Sequence, residues 1–303
     1  MGQEKKNSDF WYHVAAFAMI LVWGISFLNT RVLLDAGLSP TEIFVARFTI
    51  AYISLLIVSR FKVRYTGWRD ELLFVVCGIA GGSAYFIAEN TALELTLISD
   101  VAVLVSIAPL TTALMGAIFY RDERITLMTG VGMVIAFVGS VMLALKDGLV
   151  WGDSVLGDVL AMLAALVWAF YSMALKRLNR TYSTLFITRK LFFYGVLSAL
   201  PLLLLEDTQV SVATLRQPAV WGNLLYLGLI CSMAAYFIWG ITVKRIGAVR
   251  ASNYFYLSPI ISMIAAAIWF GERTNLVAYL GCALILAGVI IAEKFKRKPA
   301  TEQ

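Results

Sequence analysis

A carboxylate inside an apolar run is costly, about 2.5–3.5 kcal/mol at a helix centre on insertion scales, so such a group faces a cavity or a partner. Glu89 is so placed: Tyr85 precedes it by one helical turn, and Gly81 and Gly82 lie a turn before that. Small residues, one ring and one acid on a helix face suit the wall of a polar-ligand site. The chemistry would be an ammonium contact or proton coupling. The structural alternative is an acid near the outer interface, satisfied by water or by Arg47. Arg47 and Arg189 sit a turn or less inside their own runs and serve either as snorkelling anchors or in gating and anion contact. Pro109 and Pro259 interrupt apolar helices and free a carbonyl that a neighbour or a water-lined cavity must satisfy. Ser106, a turn before Pro109, adds a polar lining candidate.

Several aromatic and amide side chains complete the candidate set: Trp23, Asn29, Trp168, Tyr171, Tyr236, Trp239, Asn253, Tyr254 and Tyr256. Aromatics near helix ends belong to the interfacial belt, but Trp23 and Trp168 fall mid-run, where that explanation weakens. Asn29 and Asn253 can bond a ligand or a neighbouring helix. The parts of a catalyst are missing from the pattern. The single histidine, His13, begins the first run, and no His-Glu-x-x-His, Gly-x-Ser-x-Gly or P-loop is present. Neither zinc hydrolysis nor ATP-driven pumping has its residues, so no enzyme, catalytic group, metal or cofactor is expected. Cys77, Cys231 and Cys282 all lie in apolar runs and read as small buried hydrophobes.

The elements that must position these groups are membrane helices. Of the 303 residues, 60% are hydrophobic and 15% charged, with a mean hydropathy of +0.81. One soluble core cannot hide that much apolar surface. Crossing the hydrocarbon takes about 20 apolar residues, so the length has room for about ten crossings and little else. The apolar runs cover 12–34, 42–60, 71–93, 97–120, 125–145, 155–175, 185–205, 220–243, 247–270 and 275–293. They are continuous rather than alternating, which rejects a β-barrel. The first run is too long, and lacks the small-residue site, for a cleaved signal. With the amino terminus inside, eighteen Lys and Arg fall in cytoplasmic segments and four (Arg31, Lys146, Arg216, Arg273) opposite. That bias places both termini in the cytoplasm, and it accounts for the basic charge without nucleic acid.

The two halves also repeat in order. Val22-Trp23-Gly24 answers Val167-Trp168-Ala169, and the segment ending in Arg47 answers the one ending in Arg189. Ala84-Tyr85-Phe86-Ile87 answers Ala235-Tyr236-Phe237-Ile238, and Ala108-Pro109-Leu110 answers Ser258-Pro259-Ile260. Glu123-Arg124 answers Glu272-Arg273, while Gly132 and Gly139 answer Gly281 and Gly288. Matched positions lie 142 to 151 residues apart. Five crossings per copy invert the second copy, the plan of many secondary transporters around a midplane site. The expectation is an all-α integral membrane protein of about ten transmembrane helices, built as inverted five-helix repeats at 1–148 and 149–303. Gly132/Gly139 and Gly281/Gly288 are expected to pack the last helices of the two repeats together. Glu123-Arg124 and Glu272-Arg273 are expected to end helices at the interface.

Taken together, these anchors resemble the EamA family of the drug/metabolite transporter superfamily over nearly the whole chain. The resemblance rests on the ten-run layout, the Trp-Gly of the first run, the Arg of the second and seventh, the Pro of the fourth and ninth, and the Glu-Arg after each Pro. It implies a carrier in the bacterial cytoplasmic membrane that moves small metabolites, often amino acids, usually outward. It also implies a cavity lined by helices 1, 3, 4, 6, 8 and 9. Expected partners are a small-molecule substrate and the bilayer, with the chain a monomer or homodimer. A channel-like permease and a membrane-embedded enzyme are the rivals. The scarcity of buried acids favours weak or no proton coupling, and few charges among many rings suit an amphipathic amino acid over a phosphate ester.

Overall fold

The computed structural model describes residues 2–60, 64–96, 98–120, 125–144, 155–206, 212–270 and 275–295, and among them there is no strand. In lipid an open sheet edge would leave backbone groups unsatisfied, whereas a helix bonds them internally. Each expected apolar run falls on a helical segment. The segments are α1 (Gly2–Asp35), α2 (Pro40–Val58), α3 (Trp68–Leu95), α4 (Asp100–Phe119), α5 (Leu127–Ala144), α6 (Val155–Leu178), α7 (Thr184–Leu205), α8 (Pro218–Ile246), α9 (248–270) and α10 (Leu276–Lys294). A single turn, Val212–Leu215, precedes α8. Seven helices among the described residues (α1–α4 and α6–α8) are long and apolar enough to span a bilayer. Leu127–Met142 of α5 and Leu276–Ala292 of α10 are shorter apolar helices. The chain is a multi-pass helical membrane protein. Glu123-Arg124 and Glu272-Arg273 lie outside the described residues.

Local chemistry sets the ends. Ser39 caps α2 in a reciprocal box with Glu42, with Pro40 in the first turn, where a missing N–H costs nothing. Ser183 and Asn275 cap α7 and α10 through Phe186 and Ala278. Gly247 turns α8 into α9 with φ +89°, a conformation open to glycine and strained for most other residues.

Four interruptions shape the middle of the bundle. A π-helical stretch, Ile79–Ser83, lies within α3, and a longer one, Tyr226–Ala234, within α8. In α4 the helix breaks at Ser106-Ile107 and restarts at Ala108–Phe119, with Pro109 in the first turn. In α9 a 3-10 stretch, Asn253–Leu257, separates Ala248–Ser252 from Ser258–Phe270. Pro109 and Pro259 thus stand at helix restarts, where their rings do not clash with a preceding turn.

The helices pack so that breaks meet partners. α2 runs along α7 and the π stretch of α8, and α7 in turn runs along the π stretch of α3. α5 and α10 form the most extensive pair, and their glycines account for it. A Cβ on Gly132 would fall 2.5 Å from the Ala292 nitrogen, and one on Gly288 would fall 2.4 Å from the Ala136 nitrogen. Gly139 meets the Gly281 carbonyl at 2.7 Å in the same way. Close backbone approach of this kind is how helices associate in lipid without a hydrophobic driving force.

Candidate functional site

A nest of rings fills the centre, contributed by α1, α3, α6, α8 and α9. Trp23 of α1 is its hub: its ring centroid lies 5.6 Å from Trp168, 5.7 Å from Tyr236, 5.3 Å from Trp239 and 5.8 Å from Phe255. The first three contacts are edge-on and the last is stacked, the arrangements the ring quadrupole favours. Trp168 extends the nest to Tyr85 at 5.1 Å and Tyr171 at 4.8 Å. Tyr171 in turn lies 5.8 Å from Tyr236.

The π stretches tie the nest to the backbone. Widening the helical turn leaves carbonyls in need of a donor. Trp23 Nε1 donates to the Cys231 carbonyl at 2.8 Å, within the α8 stretch. The Tyr236 hydroxyl donates to the Gly81 carbonyl at 2.7 Å, within the α3 stretch. Gly81 also permits the approach of Tyr171, whose ring would lie 2.4 Å from any Cβ there.

Against the nest lies a small cavity lined by Ile20, Trp23, Ser26, Phe27, Tyr85, Phe86, Glu89, Val105, Trp168, Phe255 and Ser258. Its space for water-sized spheres is about 20 Å³, room for about one water. Glu89 is its one carboxylate. Glu89 is 5% exposed and accepts the Tyr85 hydroxyl at 2.6 Å through one carboxylate oxygen. Trp168 Nε1 and Trp239 Nε1, by contrast, are buried donors with no partner among the described residues. An acid, the unpartnered indole N–H of Trp168 and apolar rings together can hold a small solute with a cationic group, a hydrogen-bond acceptor and an apolar body.

Of the residues expected to line a cavity, Trp23, Tyr85, Glu89 and Trp168 do so, and Tyr171, Tyr236 and Trp239 stand in the ring shell behind them. Others are employed elsewhere. Asn29 donates to Asn223 of α8 at 2.6 Å, the helix-to-helix use of an amide. The Ser106 hydroxyl donates to the Val103 carbonyl of its own helix. Asn253 and Tyr256 are buried outside the lining, each with an unpaired oxygen. Pro109 and Pro259 mark the helix restarts, and Pro259 follows the lining residue Ser258. Tyr254 bonds His13 at 2.7 Å, joining α9 to α1.

The two arginines do different work despite their matching places. Arg47 does not snorkel: it is 1% exposed, its Nε donates to Ser232 of α8 at 3.0 Å, and its guanidinium lies 4.3 Å from the Phe86 ring centroid. Its Nη2 is buried without a partner. Arg189 reaches the end of α2 and donates to Ser59 Oγ at 2.7 Å. Phe86, Phe255 and Ser26 are among the lining residues that the sequence did not single out. Phe86 and Phe255 adjoin candidates in sequence, and Ser26 lies one turn after Trp23, bonded to the Trp23 carbonyl. In a chain that is 60% hydrophobic, only this adjacency distinguishes them.

Comparison with known proteins bears on what this site serves. The chain matches the EamA-like transporter family twice, over residues 10–145 and 155–293. It is 29% identical over 284 residues to a protein of Streptantibioticus cattleyicolor described as a probable terminal-alkyne amino-acid exporter, covering 92% of this chain and 93% of that one. It is 24% identical over 287 residues to a probable amino-acid metabolite efflux pump of Escherichia coli, with the same two coverages. An uncharacterized transporter of Archaeoglobus fulgidus is 28% identical over 90% of this chain and 95% of its own. A solved crystal structure shares the fold with TM-score 0.73 at 20% identity, over 95% of this chain and 98% of that chain. With two family matches that together span most of the chain, the protein belongs to the EamA-like transporter family and is a membrane transporter.

Proposed function

We propose that this transporter is a secondary carrier that exports small amphipathic metabolites bearing an ammonium group, amino acids foremost. Glu89 receives the ammonium, the ring nest packs the apolar part, and the two repeats rock around them. The observation that carries this reading is the buried carboxylate of Glu89 as the one acidic side chain lining a nearly closed central cavity. A cavity that admits one water cannot hold a metabolite, so carriage requires opening, which is the behaviour of alternating access rather than of a standing pore. The names of the two exporter relatives point to the same substrate class. A membrane-embedded enzyme would need a nucleophile, base or metal set beside Glu89, and the lining offers rings and hydroxyls instead.

The proposed architecture is ten crossings as two inverted five-helix repeats, 1–148 and 149–303, with both termini in the cytoplasm of a bacterial cell. Paired features support it: the π stretches of α3 and α8, the restarts at Pro109 and Pro259, and the serine caps of α2 and α7. The glycine contacts of α5 and α10 are also reciprocal. The chain is taken to work as a monomer or homodimer.

Uptake of labelled amino acids and other small metabolites into liposomes holding the purified protein tests this, with and without a proton gradient. Saturable uptake of amino acids is expected. Glu89→Gln exchanges a charge-assisted contact of about 1.5–3 kcal/mol for a neutral one of about 0.5–1.5 kcal/mol, a loss of about 1–1.5 kcal/mol, so the KM rises roughly 5- to 12-fold. Unchanged kinetics in Glu89→Gln, or preference for a phosphate ester over every amine, would refute the assignment.

A further inference from the structure

A second polar cavity lies away from the ring nest, where α2 ends, α3 begins and α7 begins. It measures about 180 Å³ and is open on one side. Its walls carry three cations, Arg64, Arg189 and Lys190, and one acid, Glu71. The acid is fully engaged: it pairs with Lys190, accepts the Tyr194 hydroxyl, and accepts the Thr66 amide and hydroxyl at 2.9 and 3.1 Å. That network neutralises Lys190 and leaves two arginines in excess. Arg189 is 4% exposed and bonded to the neutral Ser59 hydroxyl. Arg64 is exposed at the rim and forms no ion pair among the described residues. Two guanidinium groups around a partly buried space, with the phenols of Tyr52 and Tyr65 beside them, suit an anion with several acceptor oxygens.

The surroundings identify the source of that anion. Tyr52 and Phe193, both in the lining, bring their ring centroids to 5.8 Å. Beyond them α7 presents Phe193, Leu197 and Leu200, and α2 presents Ile53 and Ile57, all exposed. Spacing of four and three residues puts the α7 set on one helix face. A polar pocket opening onto an apolar surface fits a molecule with an anionic head and acyl chains.

We propose that Arg64 and Arg189 bind the phosphodiester head of an anionic phospholipid, with its chains laid along the exposed faces of α2 and α7. The site is separate from the central cavity and does not depend on which metabolite is carried.

Native mass spectrometry of the delipidated full chain in a neutral detergent tests this with phosphatidylglycerol and phosphatidylcholine of matched chains. Preferential retention of phosphatidylglycerol is expected. Arg64→Gln and Arg189→Gln are each expected to weaken it about fivefold, the effect of removing one cation near a lipid phosphate. Arg64 is exposed, so its variant keeps the fold, and its melting in phosphatidylcholine confirms that. Equal retention of the two lipids, or retention unchanged in both variants, overturns the proposal. Displacement of phosphatidylglycerol by an equal concentration of inorganic phosphate overturns the lipid assignment in favour of free phosphate. Failure of amino-acid transport leaves this outcome untouched.

Discussion

The seam between α5 and α10 yields the sharpest quantitative expectation. A Cβ at residue 288 would lie 2.4 Å from the Ala136 nitrogen, 2.5 Å from the Gly132 carbonyl and 2.7 Å from Ala136 Cβ. The first two obstacles are backbone, so no rotamer change relieves them. Ordinary contact is about 3.5–4 Å, and the helices must therefore separate by roughly 1 Å, which forfeits a quarter to a half of the dispersion energy along the seam. Lipid offers no hydrophobic force to make up the loss. Gly288→Ala should cost about 1–3 kcal/mol, the range for overpacking, and lower the melting temperature by about 2–12 °C at roughly 2–4 °C per kcal/mol. Gly222→Ala is the control, because a Cβ there has nothing within 4 Å. It should melt at or slightly above wild type. In the double variant with Gly132→Ala, the second substitution should cost less than it does alone, since the first has already parted the helices. Thermal unfolding of purified protein in detergent reads all of these. If Gly288→Ala and Gly222→Ala melt within a degree of each other, the seam does not hold the helices in contact and the argument fails.

Three further expectations concern two polar groups and the packing of the ring nest. Glu71→Gln strands Lys190 among apolar rings and should destabilise by about 1–3 kcal/mol, whereas adding Lys190→Met should recover most of the loss; absence of recovery in melting curves would show that the pair is not the cause. Tyr85→Phe removes the hydroxyl that the buried Glu89 accepts and should change the KM for amine substrates severalfold and destabilise by about 1–3 kcal/mol, which liposome uptake and unfolding measure side by side. Gly81→Ala drives a methyl into the Tyr171 ring, which packs on Trp168; transport should fall at least tenfold in folded protein, and wild-type rates would remove Tyr171 from the cavity's support.

Much of this was legible because lipid simplifies the code. Continuous apolar runs become helices, and the residues that stand out within them, Glu89, Trp23 and Trp168, meet at the cavity. Side-chain allegiance was less legible. Matching places in the two halves suggested equal roles for Arg47 and Arg189, but Ser232 and Phe86 hold one in the core and Ser59 holds the other at an end. Asn29 chose Asn223 because an amide in apolar surroundings takes the nearest amide. The pairing of Glu71 with Lys190 spans 119 residues of sequence, and each alone reads as a charge at the start of a run. The π stretches leave no compositional mark, since Ile79–Ser83 and Tyr226–Ala234 read as ordinary apolar helix with glycine. Only the donors that cap their carbonyls, Trp23 and Tyr236, reveal why they persist.

Those two bonds also bear on how the cavity opens. Each joins an aromatic of the nest to a widened turn on another helix, so the nest cannot loosen from α3 or α8 without freeing a carbonyl in a place poor in water. Such a group costs about 1–3 kcal/mol unless it finds a new donor. Motion is cheaper where the hydrogen-bond ladder is already broken, at Ser106-Ile107 in α4 and at Asn253–Leu257 in α9. These breaks adjoin the cavity through Val105 and through Phe255 and Ser258. Opening that swings α4 and α9 away would enlarge the space beside Glu89 and leave the bonds of Trp23 and Tyr236 intact. The rings of α1, α3, α6 and α8 would then form the fixed wall, and the helix breaks, with Phe255 of α9 among them, would supply the movable one.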